Sequence, residues 1–362
     1  MRVIAAMSGG VDSSVAAARL VDAGHEVVGV HLALSKAAAA SGRSRGCCTL
    51  DDARDARRVA DLLGIPFYVW DLSDRFKAEV IDDFLDEYRH GRTPNPCIRC
   101  NERIKFAAVL HRARAMGFDA VASGHYAQIR AGAAGPELHR GIDPDKDQSY
   151  VLGVLGRDQL AHTLLPIGGD HKSQIRDEAA ERGLLVARKP DSHDICFIPD
   201  GDTAAFVRSR LGSEPGDIVD DASGAVVGHH DGAHAFTIGQ RRGLDLRVPA
   251  PDGAPRYVVD VDIATSTVRV GSPELLDVDR IEGDRPTWTG DPLGADPVAV
   301  HAQVRAHGEA IPAEASMDAG RMHVTLMSPV RGLARGQTVV VYDDSRVVGS
   351  ATVDATRRLV SA

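Results

Sequence analysis

Aromatic side chains are scarce in this sequence, at 4 % of its residues, and only five cysteines are present. No run of about 18 apolar residues exists, so no helix is expected to cross a membrane. "MRVIAAMSGG" opens directly into a strand-like run. It carries neither a basic n-region nor a cleavable apolar h-region, so no secretory leader is expected and the cytoplasm is the expected location. Five cysteines in such a chain argue for working or buried thiols rather than a disulfide framework. Basic excess is lacking too: the formal charge of −9 argues against bulk nonspecific nucleic-acid binding, while leaving room for a local basic groove. The chain has no Gly-Lys dipeptide and therefore no Walker A loop. What remains is 43 % hydrophobic and 26 % charged over 362 residues, the composition of a globular protein with two or three domains.

The first half alternates strand and helix signals. "RVIAAM" (Arg2 to Met7) reads as a buried strand, followed by a Gly/Ser turn and a helix through "SSVAAARLVDAG" closed by Gly24. "EVVGVHLAL" is a second strand and "IPFYVWDL" a third. Residues 35–46 are of low complexity and read as a mobile loop. Thr49 and Asp52 form a T-x-x-D box that should open a helix. Ser73 should cap another, with Phe76, Val80, Phe84 and Tyr88 along one side. "FDAVASGHYA" adds a further strand and turn. Such alternation predicts an α/β doubly wound parallel sheet over residues 1–211. Beyond Gly212, short β-branched runs recur between turn residues and helical periodicity fades. We expect a small β-rich central domain over 212–274 and a β-barrel over 275–362.

"SGGVDSS" (Ser8 to Ser14) sits between the first strand and the first helix. Gly9 and Gly10 permit a sharp turn and leave room for a phosphate. The backbone N–H groups of the helix start then face an anion, and Ser8, Ser13 and Ser14 add hydroxyl donors. The alternative is an ordinary strand-to-helix turn. Asp12 either helps hold a cation that accompanies a bound phosphate, directly or through water, or is a helix N-terminal acid. "TPNPCIRCN" (Thr93 to Asn101) places Cys97 and Cys100 two residues apart. A C-x-x-C can be half of a zinc site, a redox pair, or a nucleophile with a neighbour. Cys47 and Cys48 are adjacent and make a poor second half of a zinc site. "GHHDGAH" (Gly228 to His234) reads as a polar β-turn in preference to a metal site.

The glycine-serine string resembles the pyrophosphatase loop of enzymes that cleave ATP to AMP and pyrophosphate. "GRTPNPCIRCNERIKF" (Gly91 to Phe106), "SGHYA", "DKDQSYVL" (Asp145 to Leu152), "KPDSHDICFIP" (Lys189 to Pro199), "FTIGQRRGL" and "SPVRGLARGQ" all resemble the tRNA-specific 2-thiouridylase family, in order and over nearly the whole chain. The resemblance implies that Cys100 is the catalytic nucleophile and Cys196 the persulfide carrier. It implies that Ala6, Met7, Ser8, Gly9, Gly10, Val11, Asp12, Ser13, Leu32 and Gly124 bind ATP. The target base or tRNA would meet Asn95, Pro96, Cys97, His125, Lys146, Asp147, Gln148, Arg305 and Gln337. Two departures stand out. Cys97 occupies a place where some members carry Asp, and the family's Arg-aromatic contact reads Arg305-Ala306.

The implied activity is ATP-dependent formation of 2-thiouridine at the tRNA wobble position. ATP with Mg²⁺ is the substrate, no tightly bound cofactor is expected, and no metal is assigned to protein ligands. The partners are a tRNA with a wobble uridine and a persulfide donor, either a cysteine desulfurase or a relay protein; no membrane is involved. The chemistry is coherent: adenylation of the uracil C2 oxygen makes a leaving group, a persulfide stores sulfur, and a second thiol releases it. A small-molecule ligase of the same superfamily would need neither Cys100 nor Cys196. A noncatalytic RNA-binding module would not need "SGGVDSS". An iron–sulfur cluster on Cys97, Cys100 and Cys196 is the metal-bearing alternative.

Overall fold

The computed structural model describes residues 1–35, 49–191, 195–198, 200–248, 250 and 253–358. The low-complexity loop beyond Ser35, with Cys47 and Cys48, lies outside them. Among the described residues no helix is long and apolar enough to cross a membrane.

The N-terminal part contains strands β1 (Arg2–Ala6), β2 (Glu26–Ala33), β3 (Phe67–Asp71), β4 (Ala120–Ala122), β5 (Ala127–Gly132), β6 (Gly135–Arg140) and β7 (Thr163–Leu164). Five of them form the expected parallel sheet in the order β3-β2-β1-β4-β7. Val3 stands opposite Val27 on one side and Ala120 on the other. Val3 and Ile4 are wholly buried, as a central strand covered on both faces requires. From β1 the chain winds outward through β2 and β3, then returns to β4 on the far side of β1. That reversal opens a crevice beyond the C-terminal ends of β1 and β4, where open α/β sheets bind their ligands.

Helix α1 (Val11–Asp22) follows β1 and ends beside Gly24, whose φ of 75° only glycine adopts without cost. Helix α2 (Leu50–Leu63) opens on the expected box. Thr49 Oγ1 accepts from the Asp52 N–H at 3.1 Å, and the Asp52 carboxylate accepts from the Thr49 N–H at 2.9 Å. Such a cap contributes about 1 kcal/mol. The helical stretch over residues 73–89 buries Phe76, Val80, Phe84 and Tyr88, but Ser73 is its first residue, not its cap. Leu72 holds the cap position without a side-chain cap, and Asp71 just ahead of it accepts from the Ser73 N–H at 2.9 Å and hydroxyl at 2.6 Å. An Asp two residues ahead forms this turn more strongly than a serine does.

The central part is a four-stranded sheet of β8 (Gly216–Asp220), β9 (Val226–His230), β10 (Tyr257–Asp262) and β11 (Thr267–Gly271), in the order β10-β11-β8-β9. The C-terminal strands are β12 (Asp277–Trp288), β13 (Val298–Gln303), β14 (Ile311–Asp318), β15 (Arg321–Arg331), β16 (Thr338–Asp343) and β17 (Arg346–Arg358). They run β12-β15-β14-β13-β16-β17 and close through β12–β17. Three register shifts between β12 and β17 supply the local bends that closure needs.

The N-terminal part and the barrel share structure. β6 pairs with β17, so hairpin β5–β6 extends the barrel sheet. One buried cluster combines Ile98, Phe106, Leu138, Tyr150 and Leu152 with Val340, Tyr342 and Val347 of the barrel. The Tyr150 hydroxyl donates to the Thr338 carbonyl at 2.8 Å.

Candidate nucleotide and thiol site

A cavity of about 650 Å³ occupies the crevice at the end of β1 and β4. Ala6, Met7, Ser8, Gly10, Val11, Asp12 and Ser13 line it from the β1–α1 turn, and Leu32 from β2. Gly124, expected at ATP, lines it as well, and so do His125, Lys146, Asp147 and Gln148, which the sequence assigned to the target base or tRNA. α1 carries no side-chain cap at Gly10, so its first N–H groups are offered to an anion in the cavity. The Ser8 and Ser13 hydroxyls stand 3.1 Å apart at its mouth. Gly124 fits closely: a Cβ there would lie 2.5 Å from Ser13 N and 2.6 Å from Asp12 C.

Gly9 differs from expectation. It does not line the cavity; at φ 80°, a Cβ there would lie 2.2 Å from the Asp52 carbonyl oxygen. Its missing side chain lets α2 close on the loop, while Gly10 lines the cavity.

The charged groups are densely paired. Lys172 Nζ lies 2.7 and 2.8 Å from the two Asp12 carboxylate oxygens and 2.9 Å from Asp191. The Tyr126 hydroxyl donates to Asp12 at 2.7 Å; burial first, then the Asp12 charge, push its phenol well above the ordinary range, so it stays a donor. Asp191 also meets Lys146 and Arg176, each at 2.8 Å. Burial opposes its charge, but hydrogen bonds from Lys146 and Lys172 prevail and hold its carboxyl well below the ordinary range. The stability this confers is present above the unfolded carboxylate pKa and is lost only as pH falls through the depressed folded one. Lys189 Nζ donates to the Gly9 carbonyl at 2.9 Å, Asp52 at 2.8 Å and Asp55 at 2.7 Å. Burial would lower its pKa, yet the two carboxylates raise it, so its contribution holds below the unfolded lysine pKa and fades as pH climbs through the raised folded value.

Asp147 and Gln148 face the cavity while building their own turn. The Asp147 carboxylate accepts from Arg140 at 2.7 Å, from the Gly141 and Ser149 N–H groups at 3.0 Å, and from the Ser149 hydroxyl at 2.9 Å. Gln148 Oε1 accepts from the Tyr126 N–H at 3.0 Å. His125 is buried, with Nδ1 2.7 Å from Ser123 Oγ.

The thiols lie outside the cavity lining. Asn95 caps a short helix, Pro96–Arg99, by accepting from the Cys97 N–H at 3.0 Å; Pro96 takes its first position. Cys97 is exposed, Cys100 buried and Cys196 half-buried. Cys100 belongs to a buried apolar cluster with Leu32, Leu34, Phe76, Val80 and Ile104, and Cys196 and Phe197 pack against it. Among the described residues no group of three or more His, Cys, Asp or Glu side chains is placed to hold a metal ion.

The cysteine loop is anchored where the three parts meet. The Thr93 N–H donates to the Arg335 carbonyl at 2.7 Å, its hydroxyl contacts Thr237 Oγ1 at 3.3 Å, and Gln337 Nε2 donates to the Thr93 carbonyl. Gln337 thus ties barrel to loop. Arg305 is spent on the barrel itself, donating to the Arg331 and Gly332 carbonyls at 2.5 and 3.0 Å. Two residues on, His307 lines the cavity.

Sequence reasoning missed His31, Lys105, Tyr126, Lys172, Lys189, Asp191 and His307 as lining residues. Lys189 and Asp191 carried a signal, since they open the motif that contains Cys196. Lys172 carried none.

Three family models match in succession: a tRNA methyl transferase HUP domain over residues 1–200, a tRNA methyl transferase PRC-barrel domain over 204–272, and an aminomethyltransferase beta-barrel domain over 278–353. The tRNA-specific 2-thiouridylase MnmA of Acidothermus cellulolyticus is 63 % identical over 99 % of both chains. That of Nocardioides sp. is 58 % identical over all of both. That of Mycolicibacterium smegmatis is 59 % identical over 99 % of this chain and 100 % of its own. With a parallel-sheet domain, a small β domain and a closed barrel in the same order, this chain belongs to the tRNA-specific 2-thiouridylase family.

Proposed function

We propose that the protein is an ATP-dependent sulfurtransferase that converts the wobble uridine of tRNA to 2-thiouridine, in the cytoplasm. The observation that carries this is a shared wall. Leu32 and Leu34 line the cavity beneath the anion-binding turn and belong to the same buried cluster as Cys100, against which Cys196 packs. Phosphate chemistry and sulfur chemistry would then meet across one layer of side chains.

ATP would seat its phosphates on the α1 N–H groups and the Ser8 and Ser13 hydroxyls, with the adenine against Leu32. Asp12 offers a hard carboxylate beside those phosphates and would hold the Mg²⁺ that arrives with ATP. Uracil O2 forms a bond to the α-phosphorus as the bond to the β-phosphate oxygen breaks, and pyrophosphate leaves. Cys100 thiolate attacks the Cys196 sulfur of a Cys196 persulfide, giving a Cys100–Cys196 disulfide and hydrosulfide. Hydrosulfide adds at C2 and AMP departs. A persulfide-bearing desulfurase or relay protein reloads Cys196 after a dithiol reductant opens the disulfide. Asn95, Pro96 and Cys97 would approach the base, which a single-stranded loop can turn out at low cost. His125, Lys146, Asp147, Gln148, Arg305 and Gln337 would meet or support the surrounding RNA.

The names of the matching domain models speak of methyl transfer. A methyl donor needs no anion-binding turn of this kind, and two thiols packed with Leu32 and Leu34 behind the wall of the same cavity favour thiolation. The test is pyrophosphate release and thiouridine formation with unmodified tRNA, with and without a persulfide donor. Release with tRNA, and thiouridine only with the donor, is the expected outcome; thiouridine-free turnover with a small amine substrate would overturn it.

A further inference from the structure

Lys172 bridges Asp12 and Asp191 on the cavity wall, and we infer that its ammonium is the cation that stabilises the leaving pyrophosphate, exchanging its carboxylate partners for phosphate oxygens. The inference rests on the ATP-cleaving reading above. The Lys172 side chain is only 11 % exposed, and both Asp12 oxygens lie within 2.8 Å of Nζ. Asp12 stands in the first turn of α1, so an anion on that helix start lies within reach of the same ammonium.

Charge balance favours a further cation beside the Mg²⁺ that arrives with ATP. A polyphosphate entering beside Asp12 and Asp191 adds several negative charges to two already present. Lys189 is committed elsewhere, to Gly9, Asp52 and Asp55. Asp191 keeps Lys146 and Arg176 when Lys172 turns away. Asp12 keeps the Tyr126 hydroxyl. Neither carboxylate is stranded by the exchange, which would otherwise be costly. The backbone holds still as the side chain swings, because the Lys172 N–H donates to Asp143 at 2.8 Å at the start of helix Lys172–Glu181. As the α-phosphorus bond to the bridging oxygen breaks, the electron pair stays on pyrophosphate, and a protonated lysine stabilises it without giving up its proton.

Two measurements on the full chain test this. With ATP and unmodified tRNA, Lys172→Met should lower kcat for pyrophosphate release by about 100-fold. KM for ATP should change by roughly tenfold or less, tRNA affinity should hold, and Lys172→Arg should recover part of kcat. The second uses pyrophosphate in EDTA, followed by calorimetry. Asp12→Asn should bind it at least as tightly as the unmutated chain, and Asp12→Asn/Lys172→Met about tenfold more weakly than Asp12→Asn alone. Equal binding by those two variants, or unchanged kcat in Lys172→Met, overturns the inference and leaves ATP cleavage standing. Loss of fold or of tRNA binding in Lys172→Arg also overturns it, in favour of a structural ion pair. If the unmutated chain releases no pyrophosphate, both readings fall.

Discussion

The two ends of the functional region are built on opposite principles. At the loop end, Lys146, Lys172 and Lys189 are each held by carboxylates within 2.9 Å. At the thiol end, Cys100 sits among Phe76, Val80 and Ile104, and the apolar residues around Cys196 include Phe197, stacked edge-on to Phe76 and Phe84. Fixed charge can be arranged before a phosphate arrives and gains strength from partial burial. A nucleophilic sulfur is better kept from solvent and oxidants until its partner is at hand. On the proposed roles, charge is stored at one end and reactivity is shielded at the other.

The sharpest break of that comparison is at sulfur. Cys100→Ser and Cys196→Ser should each lower thiouridine formation by about four orders of magnitude, while both proteins still bind ATP and tRNA. Mass spectrometry should find persulfide on Cys196 in Cys100→Ser and none in Cys196→Ser. Cys97→Ser should be milder; normal transfer by Cys100→Ser with a dead Cys97→Ser would reverse the cysteine assignment. Next in size, Asp12→Ala should cut pyrophosphate release by about 100-fold and leave persulfide loading of Cys196 intact. Equal loss of both would show that the two ends do not work independently.

Gly124→Ala is smaller. Its Cβ would meet the backbone of Asp12 and Ser13 at 2.5–2.6 Å, so the start of α1 must shift. The expected cost is about 1–3 kcal/mol, read as a lower melting temperature and weaker ATP binding, with persulfide loading unchanged. The smallest effect is electrostatic. Lys146→Ala should reduce the salt dependence of tRNA binding by about one phosphate contact, with ATP affinity in the absence of tRNA little changed. Loss of ATP binding with tRNA binding preserved would move Lys146 to the nucleotide.

The parts legible in the sequence are those written locally. The turn after β1, the Thr49–Asp52 box and the buried stripe from Phe76 to Tyr88 all depend on residues a few positions apart. Ser73 misled because an aspartate just upstream outcompetes it. Gly9 misled because its space is filled by Asp52, more than 40 positions away. Lys172 was invisible for the same reason: its partners Asp12 and Asp191 lie in distant segments, and only the folded sheet brings them together. Nor does a β-branched run announce its neighbours. The parallel pairing of β8 with β11, and of β6 with β17 in antiparallel, appear only in three dimensions.

That last pairing bears on modularity. Sequence periodicity suggests a catalytic half and a detachable barrel, as if one could be exchanged between relatives at residue 275. Hairpin β5–β6 makes the junction a seam stitched from both sides. Arg346 pairs with His139, the Arg140 N–H donates to the Ser345 carbonyl at 2.8 Å, and the Arg140 guanidinium lies 3.7 Å over the Tyr342 ring. A chimaera cut there would expose an unpaired strand edge and half of a hydrophobic core, both of which invite aggregation. A successful transplant must carry Leu138, Arg140 and Tyr150 with Val340, Tyr342 and Val347 as one matched set.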